Sequence, residues 1–127
     1  MSSADGQRKV VINNVYGRGF NMSQEAVELY AKYAGLEITV APDPWNCPTY
    51  YITTARGVQL WRPCWLDSRD DPNLIRAVSE LGKQANADGS QLTIIEIPAD
   101  IEWRIVAEDG LEHVEEKHRC WYGPLTT

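Results

Sequence analysis

The 127-residue chain is poor in cysteine, has only two histidines and one phenylalanine, and carries no excess of positive charge. The three cysteines, Cys47, Cys64 and Cys120, are scattered, and no Cys-x-x-Cys pair is present. A zinc site built on paired thiolates is therefore not expected. No apolar run approaches the ~20 residues that a membrane-spanning helix needs. The opening Met1-Ser2-Ser3-Ala4-Asp5-Gly6 is polar and lacks the apolar stretch of a signal peptide. Without an export signal the thiols are expected to stay reduced, although a contact between Cys47 and Cys64 is open. Acidic residues outnumber basic ones 18 to 12, for a net charge of −6. A general DNA or RNA binder carries a basic face, so neither is expected as a partner. A small anion held by a few local donors is still compatible with this balance. Catalytic signatures are missing as well. There is no Gly-Lys-Ser/Thr phosphate loop, no Gly-x-Gly-x-x-Gly, no Gly-x-Ser-x-Gly and no His-Glu-x-x-His. The balance leans toward binding rather than catalysis, with no cofactor or metal expected.

What is present reads as one α/β (α+β) domain: a mixed β-sheet, two main helices and a β-hairpin insertion. Residues 1–7 are expected to be a flexible tail and 8–127 the domain, with 41–68 an insertion or lid. The run Arg8 to Asn14 is Val- and Ile-rich on consecutive positions, which predicts a central strand. Ser23 is an N-cap candidate, Ala26, Val27, Leu29, Tyr30 and Tyr33 recur at helical spacing, and Gly35 is a helix stop. With Leu36 to Val40 as the next strand, this opening predicts a β-α-β crossover. Tyr50 to Thr54 and Val58 to Arg62 flank Ala55-Arg56-Gly57 as a hairpin. Asp71-Pro72 starts a second helix with the stripe Leu74, Ile75, Val78 and Leu81, ending near Ala85 to Asn86. Gln91 to Ile97 and Ile101 to Val106 read as strands and Asp109-Gly110 as a tight turn; the charge-dense Leu111 to Trp121 reads as a returning strand through about Val114, with a short helix as the alternative.

Four groups of residues could carry function. Asn13, Asn14, Tyr16, Gly17, Arg18, Gly19, Phe20 and Ser23 lie between the first strand and the first helix. A strand–loop–helix junction of this kind aims backbone N–H groups at one spot, which favours an anion such as a phosphate. The competing reading is a loop whose glycines serve its turn and whose Asn and Ser are caps. Arg69, just ahead of the second helix, could clamp a phosphate bidentately; the competing reading pairs it with Asp70 or a neighbouring acid. His113, Glu115, Glu116, Lys117, His118, Arg119 and Trp121 invite an acid–base or ligand-contact reading, against that of a solvated charged edge. The spacing of the two histidines fits neither one helix face nor one strand face. The five tryptophans, with Tyr50 and Tyr51, suggest core and interface packing, with Trp45, Trp61 and Trp65 the most exposed candidates.

The run Ile12-Asn13-Asn14-Val15-Tyr16-Gly17-Arg18-Gly19-Phe20-Asn21-Met22-Ser23-x-Glu25-Ala26 resembles the opening of a group of small proteins encoded in tailed-phage and prophage genomes. The elements Arg69-x-Asp71-Pro72-x-Leu74-Ile75, Glu80-Leu81-Gly82, Glu96-Ile97-Pro98, Trp103, Asp109-Gly110, Glu116-Lys117-His118-Arg119 and Trp121 follow in that group's order. The likeness covers about residues 9–35 and 69–121. Arg18 interrupts a loop that reads Tyr-Gly-Gly-Phe in the group, and segment 41–68 is longer and more aromatic. The resemblance implies a phage setting. By analogy with phage proteins that sequester nucleotide second messengers, it implies an anti-defence protein in the host cytoplasm that binds a small nucleotide signal (a cyclic oligonucleotide or ADP-ribose derivative) without cleaving it. The expected ligand-binding set is Asn13, Asn14, Tyr16, Gly17, Arg18, Gly19, Phe20, Ser23, Arg69, Trp103, His118 and Arg119. A homo-oligomer and no membrane partner are expected. The alternatives are a module that inhibits a host protein directly, and a small hydrolase or lyase using His113 or His118 with Glu115.

Overall fold

A computed structural model describes residues 7–41, 48–66 and 68–116. Among these residues two helices and seven strands form an α+β domain, as the sequence predicts. In chain order they are β1 (Gln7–Asn13), α1 (Gln24–Ala34), β2 (Glu37–Ala41), β3 (Thr49–Thr54), β4 (Gly57–Trp61), α2 (Pro72–Leu81), β5 (Leu92–Pro98), β6 (Trp103–Glu108) and β7 (Leu111–Glu116). Short 3-10 turns follow β4 (Pro63–Trp65) and α2 (Gly82–Ala85).

The strands pair as three small antiparallel sheets: β1–β5, β2–β3–β4 and β6–β7. The expected β-α-β crossover is not formed, because β2 pairs with β3 and not with β1. The reason lies at the second edge of β1. Its Val11 N–H donates to the Arg69 carbonyl at 3.0 Å, its Val11 carbonyl accepts from Arg69 Nη1 at 3.4 Å, and its Asn13 N–H donates to the Glu112 carboxylate at 2.8 Å. A loop and two side chains thus take the place of a strand. β2 finds its partner locally, by the usual preference for sequence neighbours.

The consecutive apolar residues of β1 do signal burial on both faces. Val11 joins the main core with Val27, Tyr30, Leu74 and Val78 from the helices. Val10 and Ile12 face the other way, into a second cluster with Ile97, Ile95, Trp103, Ile105 and Val114. The β1–β5 ribbon is therefore a middle layer between the helices and the β6–β7 hairpin. Helix α1 starts where Ser23 Oγ accepts from the Ala26 N–H at 3.1 Å and stops at Gly35, whose φ of 72° is left-handed. Helix α2 starts where the Asp71 carboxylate accepts from the Asn73 N–H at 2.8 Å, with Pro72 in the first turn.

Candidate functional site

The junction after β1 is held from within. Asn13 is fully buried, and its side-chain amide donates to the carbonyls of Val15 (2.9 Å) and Gly110 (2.7 Å) while accepting from the Gln91 N–H (2.8 Å). Both amide hydrogens and the amide oxygen are thus engaged in joining β1 to the start of β5 and to the β6–β7 turn. The Gly17 N–H donates to the Asp109 carbonyl at 2.7 Å. Gly110 lies so close that a Cβ there would stand 2.5 Å from the Gly17 carbonyl oxygen and 2.8 Å from the Gly19 nitrogen. The glycines on both sides let two backbones touch. At Asn13 and Gly17 the loop therefore matches the structural reading, and the Gly17 N–H is not offered to a ligand.

Arg69 lies beneath the same loop, only 8% exposed. Its two terminal nitrogens donate to the two carboxylate oxygens of Glu112 at 2.8 and 3.0 Å, and its guanidinium lies 3.6 Å above the Phe20 ring. The expected anion clamp is thus closed by an internal carboxylate. Its partner is not Asp70, which pairs instead with Arg8 at 3.0 Å, but an acid 43 residues away. Nothing in the sequence around Arg69 points to Glu112. Its only signal is an acid at an inward position of a strand, next to a Gly turn.

An open cleft of about 570 Å³ lies beside this junction. One wall is the loop and the start of α1, with Arg18, Phe20, Ser23, Gln24 and Glu25; the other is the β3–β4 hairpin and the turn after it, with Thr49, Tyr50, Leu60, Trp61, Arg62 and Cys64. Asn86 and Asp88 close a third side. On the hairpin wall Trp61 stacks on Tyr30 (ring centroids 6.5 Å apart) and meets Tyr50 edge-on (6.2 Å). Burial and then the nearby Asp71 carboxylate, to which its hydroxyl donates at 3.4 Å, hold the Tyr30 hydroxyl above its ordinary pKa. Arg18 is highly exposed and faces Asp88 at 4.0 Å, a separation at which surface pairs are weak.

Of the predicted site residues, Arg18, Phe20 and Ser23 line this cleft. Asn13, Phe20 and Arg69 converge in the interior. Tyr16 is 63% exposed, Asn14 is exposed with its N–H on the Gln91 carbonyl, and Trp103 packs in the second core cluster. His118 and Arg119 lie outside the described residues, as do Trp45, Cys47, Lys117, Cys120 and Trp121. Sequence reasoning missed Arg62 as a wall residue; the aromatic density of segment 41–68 was the available signal. Cys64 is exposed. On the outer face of the β6–β7 hairpin, His113 Nε2 lies 2.9 Å from Glu115, which also accepts from Arg104 at 3.1 Å. These contacts, His113 first, hold the Glu115 carboxyl below its ordinary range. None of the three lines the cleft. Among the described residues no group of three or more His, Cys, Asp or Glu side chains is placed to hold a metal, and no helix is long and apolar enough to cross a membrane.

Fold and cleft together define a small α+β domain with an open cleft whose rim carries mixed charge. No family model, curated protein or solved structure matches the chain.

Proposed function

We propose that the chain binds a small nucleotide-type ligand in this cleft and holds it without cleaving it. The observation that carries the reading is the cleft itself: about 570 Å³, walled by Phe20, Tyr50 and Trp61, with Arg18 and Arg62 on its rim. That volume lies within the ~300–1,000 Å³ range of small-molecule sites. An exposed guanidinium recognises phosphate by paired charge-assisted donors. The acceptors Glu25 and Asp88, with the amides of Asn21 and Asn86, suit the hydroxyl and amino groups of a sugar and base. Because Glu112 already occupies Arg69, the phosphate-holding role passes to Arg18 and Arg62. The resemblance to small phage proteins supports a biological setting for such binding: sequestration of a nucleotide immune signal in the cytoplasm of an infected host.

The test is calorimetry of the purified chain against cyclic dinucleotides, cyclic trinucleotides and ADP-ribose derivatives, with the ligand recovered afterwards by chromatography. One of these binds and returns intact. Arg62→Ala weakens that binding by about 10- to 100-fold, the loss of a charge-assisted hydrogen bond worth ~1.5–3 kcal/mol. Absence of binding to every probe, or an unchanged affinity in Arg62→Ala, refutes the reading, and a product peak would make the chain an enzyme. A second reading, direct inhibition of a host protein, draws on Trp65, which is 52% exposed beside the cleft turn. It predicts a stable complex with a defined host protein that Trp65→Ala disrupts.

A further inference from the structure

Among the described residues, the β2–β3–β4 sheet is covered on one face only. Ile38, Val40, Tyr50 and Trp61 belong to the main core. Alternation along the strands turns the residues between them outward. Their register forms rows across the sheet: Glu37, Thr53 and Val58, then Thr39, Tyr51 and Leu60, then Ala41 and Thr49. Arg62, next after Trp61 and still extended (φ −129°, ψ 141°), continues the last row. Glu37, Thr39, Val58, Leu60 and Arg62 are exposed on this face, Val58 by 66% and Leu60 by 41%. Its centre is apolar or hydroxylic. Among the described residues of these rows the charged ones are Glu37 at one corner and Arg62 at the corner diagonally opposite.

We propose that this face is an interface between two copies of the chain. The two-fold axis lies in the plane between the facing sheets, perpendicular to the Glu37–Arg62 diagonal. Each Glu37 then meets the partner's Arg62, Tyr51 meets the partner's Tyr51 on the axis, and Leu60 meets the partner's Thr53. Charge complementarity selects this occupant. A uniformly acidic or basic partner satisfies one corner and repels the other, whereas a second copy satisfies both. With strands ~4.8 Å apart and ~6.8 Å between alternate residues, the diagonal leans ~35° from the strands. Strands of the two copies therefore cross at ~70°, close to the orthogonal class of sheet packing. The grid spans only ~10 by ~14 Å, smaller than the ~800 Å² per partner of a tight complex, so the dimer is of the weak class. Thr49, Leu60 and Arg62 also line the cleft, so the second copy walls one side of its mouth. Arg62 serves both the sheet face and the cleft, so a phosphate held there competes with the partner's Glu37, and the dimer is measured without ligand.

The test is sedimentation equilibrium of the full chain up to about 300 µM, above the micromolar dissociation constants of weak interfaces. The wild type shows a reversible monomer–dimer equilibrium. Glu37→Arg and Arg62→Glu each weaken it by about tenfold or more, because each change turns both corner pairs from attraction to repulsion. The double swap returns the constant to within about threefold of wild type, since it re-creates both pairs in reverse. Tyr51→Asp places two carboxylates on the axis and abolishes the dimer. Melting curves verify that each variant is folded, and the double swap keeps the test decisive should one single variant fold poorly. A monomeric wild type, a dimer indifferent to Tyr51→Asp, or a double swap without rescue overturns the proposal.

Discussion

Replacing Glu112 by glutamine isolates what the buried ion pair contributes. The Arg69 and Glu112 side chains are 9% and 7% exposed, and the carboxylate accepts three hydrogen bonds, two from Arg69 and one from the Asn13 N–H. Glutamine keeps the volume and one acceptor oxygen. It turns an NH₂ toward a guanidinium that can only donate, leaving a buried cation without its counter-charge. Removing one partner of a buried pair costs ~3–5 kcal/mol, and the retained oxygen places this change near 3 kcal/mol. A chain of this size is stable by ~6–19 kcal/mol at ~0.05–0.15 kcal/mol per residue, so the variant still folds. Equilibrium urea unfolding followed by tryptophan fluorescence reads the loss as a midpoint lowered by ~1–3 M, given a slope of ~1–3 kcal/mol per M. Arg69→Met combined with Glu112→Leu removes both charges and loses only ~1–3 kcal/mol, chiefly the penalty for the Asn13 N–H left without an acceptor, with the long Arg69 bonds to the Val11 and Leu66 carbonyls lost as well. With Arg69→Met and Glu112→Leu as the single variants, each losing ~3–5 kcal/mol, the double variant loses less than their sum by ~3 kcal/mol or more. A Glu112→Gln variant within ~0.5 kcal/mol of wild type refutes the reasoning. So does an Arg69→Met variant that keeps its stability but loses ligand, which would return Arg69 to the role of anion clamp.

Two further changes test other parts of the fold. Gly110→Ala forces a left-handed φ of 88° and drives a Cβ to 2.5 Å from the Gly17 carbonyl oxygen. It is expected to lower stability by about 3 kcal/mol, whereas Gly35→Ala, at φ 72° with open space around it, loses only about 1 kcal/mol; equal losses in urea titrations would show that the loop and turn do not press together. Tyr30 ionises above its ordinary 10.0, chiefly through burial and then through Asp71. Its folded pKa is raised, so its contribution is complete below pH 10.0 and falls away as pH rises through the folded value. Tyr30→Phe should flatten the alkaline decline in melting temperature, and an unchanged slope would place the decline elsewhere.

Local signals settled most of the elements. Ser23 and Asp71 mark the helix starts because a short oxygen-bearing side chain is what the first free N–H groups need. Gly35 and Asp109-Gly110 mark a helix end and a hairpin turn because their left-handed φ values suit glycine and aspartate. The hairpin over residues 49–61 followed from β-rich runs around a turn, and the one over 103–116 from alternation before Asp109-Gly110, although its returning strand runs to Glu116, beyond the expected Val114, where a short helix was the alternative. The misreading came at β1, where a run apolar on both faces predicts burial but does not say what occupies its edges.

Strand partners, ion pairs and clefts depend on residues far apart in sequence. β1 could have paired with β2 across the α1 connection, and the choice of β5 was made by the Arg69 backbone and the Glu112 carboxylate filling its other edge. For the same reason a sequence motif centred on Asn13, Gly17 and Arg69 resolved into an internal clasp, and the cleft formed beside it with Arg62 and Trp61 from a distant hairpin. The sequence by itself determined where helices, strands and turns lie, because caps, alternation and turn propensities act over a few residues. Only the tertiary structure decided which polar groups satisfy one another inside the fold and which are left facing solvent, because a buried donor takes whichever acceptor the packing brings within about 3 Å.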